Sequence, residues 1–284
     1  MKTLIIGWFH HKNKLGLEMV LKNLNFPYKW GGTINDIKDY ELIFMPDNPI
    51  DTSLFPNKKF IFGNHFSVFP TSKLLYIKNT KKNSIYIQPS DWAVRVWKDM
   101  GAENVIPVKT LPFAVDTEKF KPVETEKNKV FIYFKSRKES ELSLLGNFLK
   151  QQNIDYKIFD YRKKYKEEEY IEYLKKSKYG IWLGRHESQG FALQEALSMN
   201  VPLLVWDVTS MNQEEGYVYD DIPATVISYW NKSCGEYFFK ADELKPKYEE
   251  FISKLDTYKP RQFILDNLSV RKCSEILTNL ISNI

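Results

Sequence analysis

The chain has 284 residues, 43% of them hydrophobic and 27% charged, the make-up of a soluble globular protein with one large or two modest domains. A net charge of +5 suits a phosphorylated substrate or an anionic surface, but it is no nucleic-acid signature, and no nucleic-acid partner is expected. The two cysteines, Cys234 and Cys273, lie far apart and exclude a disulfide framework or a cysteine metal site.

No run approaches the length of a membrane-spanning helix. Residues 1–7 are too short for a signal-peptide core and read as a first buried strand, so a reducing, cytoplasmic location is expected. Peripheral membrane contact and oligomeric state stay open. Residues 8–14 form a loop with His10 and His11, read as surface histidines, and 15–24 read as a helix. Residues 41–45 and 59–62 are short apolar runs, each ended by a turn signal: Pro46-Asp47-Asn48-Pro49 and Gly63-Asn64. Residues 74–77 are a further candidate strand. Residues 85–88 are another, followed by Pro89-Ser90-Asp91, where Ser90 is a good N-cap for a helix over 91–100. Residues 105–111 make the next strand. This alternation is that of a parallel α/β layer.

Residues 112–122, with 124–128 after them, are polar, contain proline and lack periodicity, which marks a linker. Residues 130–134 open a second α/β region. The basic turn Lys135-Ser136-Arg137-Lys138 follows, then a helix over 139–151, a strand over 156–160 and a highly charged helix over 163–176. The apolar runs 180–183 and 201–206 flank a helix at 191–199, a strand–helix–strand unit of a parallel sheet. Residues 224–227 read as a further strand, and 242–255 and 268–281 as closing helices.

The chemistry gathers on that last unit. Seven residues separate Glu187 from Glu195. The helix between the two runs starts near Ser188-Gln189-Gly190, with Ser188 a plausible N-cap and Gly190 allowing close approach of a ligand. A helix start with free N–H groups is an anion site. With phosphate there, Glu195 lies about a turn further in, placed to accept two ribose hydroxyls. Glu187 stands on the loop at the strand's C-terminal edge, where ligands of open parallel sheets bind. Ribose, diphosphate and hexose come in the same order in a nucleotide-sugar. Lys135 and Arg137, just past a strand end, share a side and suit a diphosphate. Arg185 and His186 immediately precede Glu187 and stand within reach of sugar or phosphates. An ordinary amphipathic helix with surface glutamates, and a solvated basic turn, are the plain alternatives.

Glu187-x7-Glu195, with Ser188 and Gly190 inside it and Ala196 after it, resembles the E-x7-E motif of retaining GT-B glycosyltransferases (glycosyltransferase family 4-like), whose usual form is E-S-F-G-x-x-x-x-E-A. Here Gln189 stands where Phe is common, and Phe191 follows Gly190. Phe113-Ala114-Val115-Asp116, with Phe120 and Pro122, resembles the P-N-G-V-D-x-x-x-F-x-P segment that joins the two domains in that family, Phe113 and Ala114 replacing Asn and Gly. The resemblance implies a GT-B α/β fold: two Rossmann-like domains facing across a cleft, with a shortened N-terminal domain. It gives 1–118 to the acceptor side, 119–258 to the nucleotide-sugar side, and a C-terminal helix in 259–284 that returns to the first domain. It implies transfer of a sugar from a nucleotide-diphospho-sugar to a glycan or small-molecule acceptor with retention. Glu187, Arg137, Lys135 and His65 would be catalytic, and Glu195, Gly190, Ser188, Phe191, Arg185 and His186 would bind donor. In the family an Arg and a Lys meet the donor diphosphate in the spacing G-R-x-x-x-x-K; here the pattern is Lys-x-Arg with no Gly before it. His65 resembles a histidine that contacts the donor sugar; a satisfied buried histidine is the other reading. No cofactor is expected. No spaced pair of aspartates stands on a loop after a strand, so no metal is expected either. The alternatives are a non-catalytic nucleotide- or sugar-phosphate-binding module of the same fold and a two-lobed binding receptor.

Overall fold

Short, wholly apolar strands with both faces covered are what an all-parallel sheet requires, and this chain builds two of them. The computed structural model describes residues 1–46, 49–63 and 83–284. The chain divides into two units, Met1–Ala114 with Asn267–Ile284, and Val115–Asp266.

In the first unit β1 (Thr3–Ile5), β2 (Tyr28–Trp30), β3 (Leu42–Met45), β4 (Lys59–Phe62), β5 (Ser84–Gln88) and β6 (Val108–Thr110) form a parallel sheet in the order β2-β1-β3-β4-β5-β6. Leu4, Ile43, Phe60, Phe62, Tyr86 and Trp97 form the heart of its core. The helix α1 (His11–Asn23) starts earlier than its apolar pattern suggests, because the His10 ring accepts a hydrogen bond from Lys12 N–H and caps it. The helix α2 (Asp91–Asp99) buries Trp92, Trp97 and the valines between them. The strand β2 escaped the sequence reading: Tyr28-Lys29-Trp30 is an edge strand, half-buried and without an apolar run. His65, the candidate strand 74–77, Asp47, Asn48 and Asn64 lie outside the described residues.

In the second unit β7 (Lys129–Lys135), β8 (Tyr156–Asp160), β9 (Ser177–Gly184), β10 (Leu203–Trp206) and β11 (Gly235–Phe238) form a parallel sheet in the order β11-β10-β9-β7-β8. The helices α3 (Glu139–Gln151), α4 (Glu167–Lys175) and α5 (Phe191–Ser198) lie between these strands along the chain, and α6 (Leu244–Ser253) and α7 (Pro260–Asn267) follow β11. Gly180 in β9 is needed for packing, since a Cβ there would come within 2.3 Å of the Phe131 ring. Tyr133 and Trp182 stack at 3.9 Å across β7 and β9.

Two expectations change here. Residues 224–227 are not a strand; Pro223 makes one antiparallel bridge to Ser210, and the fifth strand is β11. Val226 is buried because the carboxylate of Asp207 accepts its N–H and the Thr225 hydroxyl, not because it joins a ladder. The C-terminal return begins at Asn267 rather than at 259, because α7 is tied to its own unit. The Arg261 guanidinium donates to the carbonyls of Thr117, Phe120 and Ser198. The last helix, α8 (Val270–Ser282), belongs to the first unit, where Asn23 donates to the Ser274 hydroxyl and Lys59 to the Ile281 carbonyl. Among the described residues no helix is long and apolar enough to cross a membrane.

Candidate active site

The chain runs from β7 outward to β8, then returns to β9 on the other side of β7 and continues to β10 and β11. The direction of winding therefore reverses between β7 and β9, and the crevice outside the C-terminal ends of two such strands is where doubly wound sheets bind ligands. The two ends are level, Lys135 facing Gly184 in register.

From β7 the chain leaves through Lys135-Ser136-Arg137. Ser136 sits at φ 47°, a left-handed conformation that is costly for a side-chain-bearing residue. This turn separates the two cations. Arg137 is driven inward and is 1% exposed. It grips Glu141 through Nε and Nη2 at 3.0 and 2.6 Å and donates from Nη1 to the carbonyls of Gly184 and Trp206, both at 3.2 Å. These bonds tie the ends of β7, β9 and β10 together. Lys135 stays at the edge, its Nζ 2.5 Å from Glu187 Oε1 and 4.2 Å from the centre of the Tyr161 ring.

From β9 the chain leaves through Arg185-His186-Glu187. Glu187 N–H donates to Thr225 O at 3.1 Å, and the Ser228 hydroxyl donates to Glu187 O, so the loop 207–228 fixes the backbone under the carboxylate. The Glu187 side chain is 14% exposed. Burial favours its neutral form, but Lys135 and Arg185 outweigh that and hold its pKa below the ordinary value. Glu214, which the sequence did not mark, is 6% exposed and brings its carboxylate to Arg185 Nε at 3.2 Å and His186 Nε2 at 3.6 Å. Burial raises the Glu214 pKa. Burial, together with Arg185, pushes the His186 pKa down to about 4, so the imidazole is neutral near pH 7 and its contact with Glu214 is no ion pair. Lys135, Glu187, Arg185 and Glu214 thus form a compact group of two cations and two acids.

The N-cap of α5 is Gly190, not Ser188. Gly190 takes φ 83°, where a Cβ is strained, and no side chain caps the first turn. Its backbone is steadied instead by Gln194, whose Nε2 donates to Gln189 O at 2.6 Å and whose Oε1 accepts from Gln189 Nε2. Ser188 and Phe191 are half-buried beside this start. Glu195, 4% exposed, lies one turn in, and its charge is felt at Tyr165 and Tyr170 on the β8 side. Glu187, Glu195, Lys135, Arg185, His186, Ser188, Gly190 and Phe191 therefore all belong to the second unit, on the β7, β9 and α5 segments around the switch point. His10 serves as a helix cap, His11 is exposed, and buried Cys234 has its thiol pushed up to about 12, which leaves it protonated. Among the described residues no three metal-ligating side chains converge.

No protein-family model and no curated protein matches the chain. Solved structures do. WaaG, a glycosyltransferase involved in lipopolysaccharide biosynthesis, matches with a TM-score of 0.53 at 9% identity, with 100% of each chain covered. A sucrose-phosphate synthase from Thermosynechococcus elongatus gives 0.53 at 9% identity over 97% of this chain and 80% of its own. TarM gives 0.50 at 14% identity over 93% of this chain, which spans 57% of TarM. At these identities the likeness is one of fold: the chain has the GT-B glycosyltransferase fold, with two Rossmann-like units.

Proposed function

We propose that the chain is a retaining glycosyltransferase that moves a sugar from a nucleotide-diphospho-sugar to a glycan or small-molecule acceptor. The observation that carries this reading is the Lys135–Glu187 pair, 2.5 Å apart and largely buried at the switch point. Support also comes from the uncapped start of α5 and from Glu195 on that helix.

In this reaction the bond between the anomeric carbon and the diphosphate oxygen breaks, and its electron pair leaves with the nucleoside diphosphate. The acceptor hydroxyl bonds to the same face of the sugar, and its proton passes to a departing phosphate oxygen. Lys135 exchanges Glu187 for the diphosphate, while the first-turn N–H groups of α5 meet the same oxygens. Preorganised charge of this kind lowers a barrier by several kcal/mol. Glu187, released and still ionised, accepts hydroxyl hydrogen bonds from the sugar, and Glu195 accepts those of the ribose. Arg185, oriented by Glu214, is the second cation, and His186 and Ser188 line the same loop. Arg137 acts at one remove by holding the strand ends. With the developing charge met by cations and N–H dipoles, the scheme needs no divalent metal.

The test is to incubate the purified chain with UDP-, GDP- and ADP-sugars, with and without EDTA, and to read the released sugar by NMR. The expected result is hydrolysis or transfer of at least one donor with its anomeric configuration retained and unaffected by EDTA. Binding of nucleotides with no turnover of any donor would instead make the chain a nucleotide-binding module of this fold.

A further inference from the structure

The loop after β8 brings one more side chain to the switch point. Asp160, 8% exposed, accepts Arg162 N–H at 3.0 Å and caps a single turn over Tyr161–Lys163. Arg162 is in turn held by Glu139 and lies 5.0 Å over the Phe134 ring, and Lys164 closes the turn in a left-handed conformation. This clamped turn presents Tyr161, which is 50% exposed. A half-exposed aromatic ring on a fixed backbone is a ready stacking surface, because little side-chain freedom is lost when a second ring lies on it.

Position says what it would stack. Across the C-terminal edge β8, β7 and β9 are neighbours in that order. They deliver Tyr161, Lys135 and Glu187, an aromatic face, a cation and a carboxylate, linked in a row at 4.2 and 2.5 Å. A nucleotide-sugar carries a planar base, a diphosphate and a hydroxyl-bearing ring in the same row. Glu195, read as the ribose acceptor, lies towards the β8 side, where its charge reaches Tyr165, four residues after Tyr161. A ribose there leaves the base over the β8 loop.

We propose that Tyr161 is the platform on which the nucleobase of the donor stacks. This rests on the nucleotide-sugar reading of the site and adds the base contact to it. The face opposite Lys135 carries the base, so the residue contributes to nucleotide affinity but not to the bond that breaks.

The experiment is isothermal titration of UDP, GDP, ADP and inorganic pyrophosphate into the full chain and its Y161F and Y161A variants, with circular dichroism to confirm that each is folded. Removing a stacking partner costs about tenfold or more. Y161A is therefore expected to bind the best nucleoside diphosphate about tenfold more weakly while its pyrophosphate affinity is unchanged, and Y161F, which keeps the ring, to retain both. Equal losses for pyrophosphate and nucleotide would overturn the proposal, since Tyr161 would then act only by steadying Lys135. Wild-type binding of nucleotides that Y161A reproduces would overturn it alone, leaving the function reading standing. A wild-type chain that binds neither nucleotides nor pyrophosphate would overturn both.

Discussion

Around Arg137 the second unit is closed: a guanidinium at 1% exposure, a bidentate carboxylate, two strand-end carbonyls and the face of Trp206. Around Lys135, two residues earlier, it is open to exchange: one ammonium, one carboxylate and a half-exposed tyrosine ring. Both clusters are a cation paired with a glutamate, and both sit at the end of β7. The difference lies in what each cation would give up to meet a ligand. Arg137 would abandon several bonds in a site from which water is excluded, whereas Lys135 would trade one anion for another. Removing one partner from a buried pair of the first kind is strongly destabilising, whereas the second can exchange its anion.

The comparison breaks most visibly in stability. Arg137→Met takes the guanidinium donors from Glu141 and two strand-end carbonyls and is expected to cost about 3 kcal/mol or more, read by chemical denaturation. Lys135→Met leaves the largely buried Glu187 still facing Arg185 and is expected to cost less, about 2 kcal/mol. Equal costs would erase the distinction between the clusters.

Turnover sharpens it next. Glu187→Gln keeps the shape but loses the charge that Lys135 and Arg185 sustain, and is expected to lower donor turnover by about a hundredfold. Glu195→Ala should chiefly weaken nucleotide affinity, read by titration. Equal, small effects on both quantities would count against these roles.

The third prediction concerns pH. Burial, with Arg185 beside it, holds the His186 pKa down at about 4, against 6.5 for an ordinary imidazole. Below pH 6.5 the unfolded chain therefore takes up a proton that the folded chain refuses, and stability falls until about pH 4, where the folded histidine also protonates. The full difference is worth about 3 kcal/mol. Glu187, whose folded pKa is depressed, loses stability in the same direction as pH falls. His186→Gln should flatten the loss between pH 6.5 and 4 in a melting-temperature profile, leaving the Glu187 part; an unchanged profile would place the acid sensitivity elsewhere. The smallest effect is expected from Ser136→Gly, which relieves the left-handed turn between the two cations and should stabilise by about 0.5 kcal/mol.

What could be read from the sequence was what lies close along the chain. Glu187 and Glu195 flank one helix start, so their spacing alone placed them on neighbouring segments of one strand–helix unit. The alternating short apolar runs announced parallel sheets. Glu214 and Tyr161 gave no such signal, because each reaches the switch point from its own loop, and only the sheet order brings those loops together. Val226 misled: an apolar stretch at 224–227 resembles a strand, yet its burial comes from the loop folding onto Asp207. In β11, Gly235-Glu236-Tyr237-Phe238 buries only its two ends and reads weakly as a strand. The Lys-x-Arg pattern put both cations on one side by simple alternation. Ser136 breaks the alternation by turning left-handed, which a serine does not advertise.

The most direct test of the account is calorimetric titration of a nucleoside diphosphate into the wild-type chain and Lys135→Met. The account predicts binding by the wild type and affinity weaker by about tenfold or more in the variant, with the fold intact, since a charge-assisted bond to phosphate is lost. Undiminished binding by a folded Lys135→Met chain would contradict it.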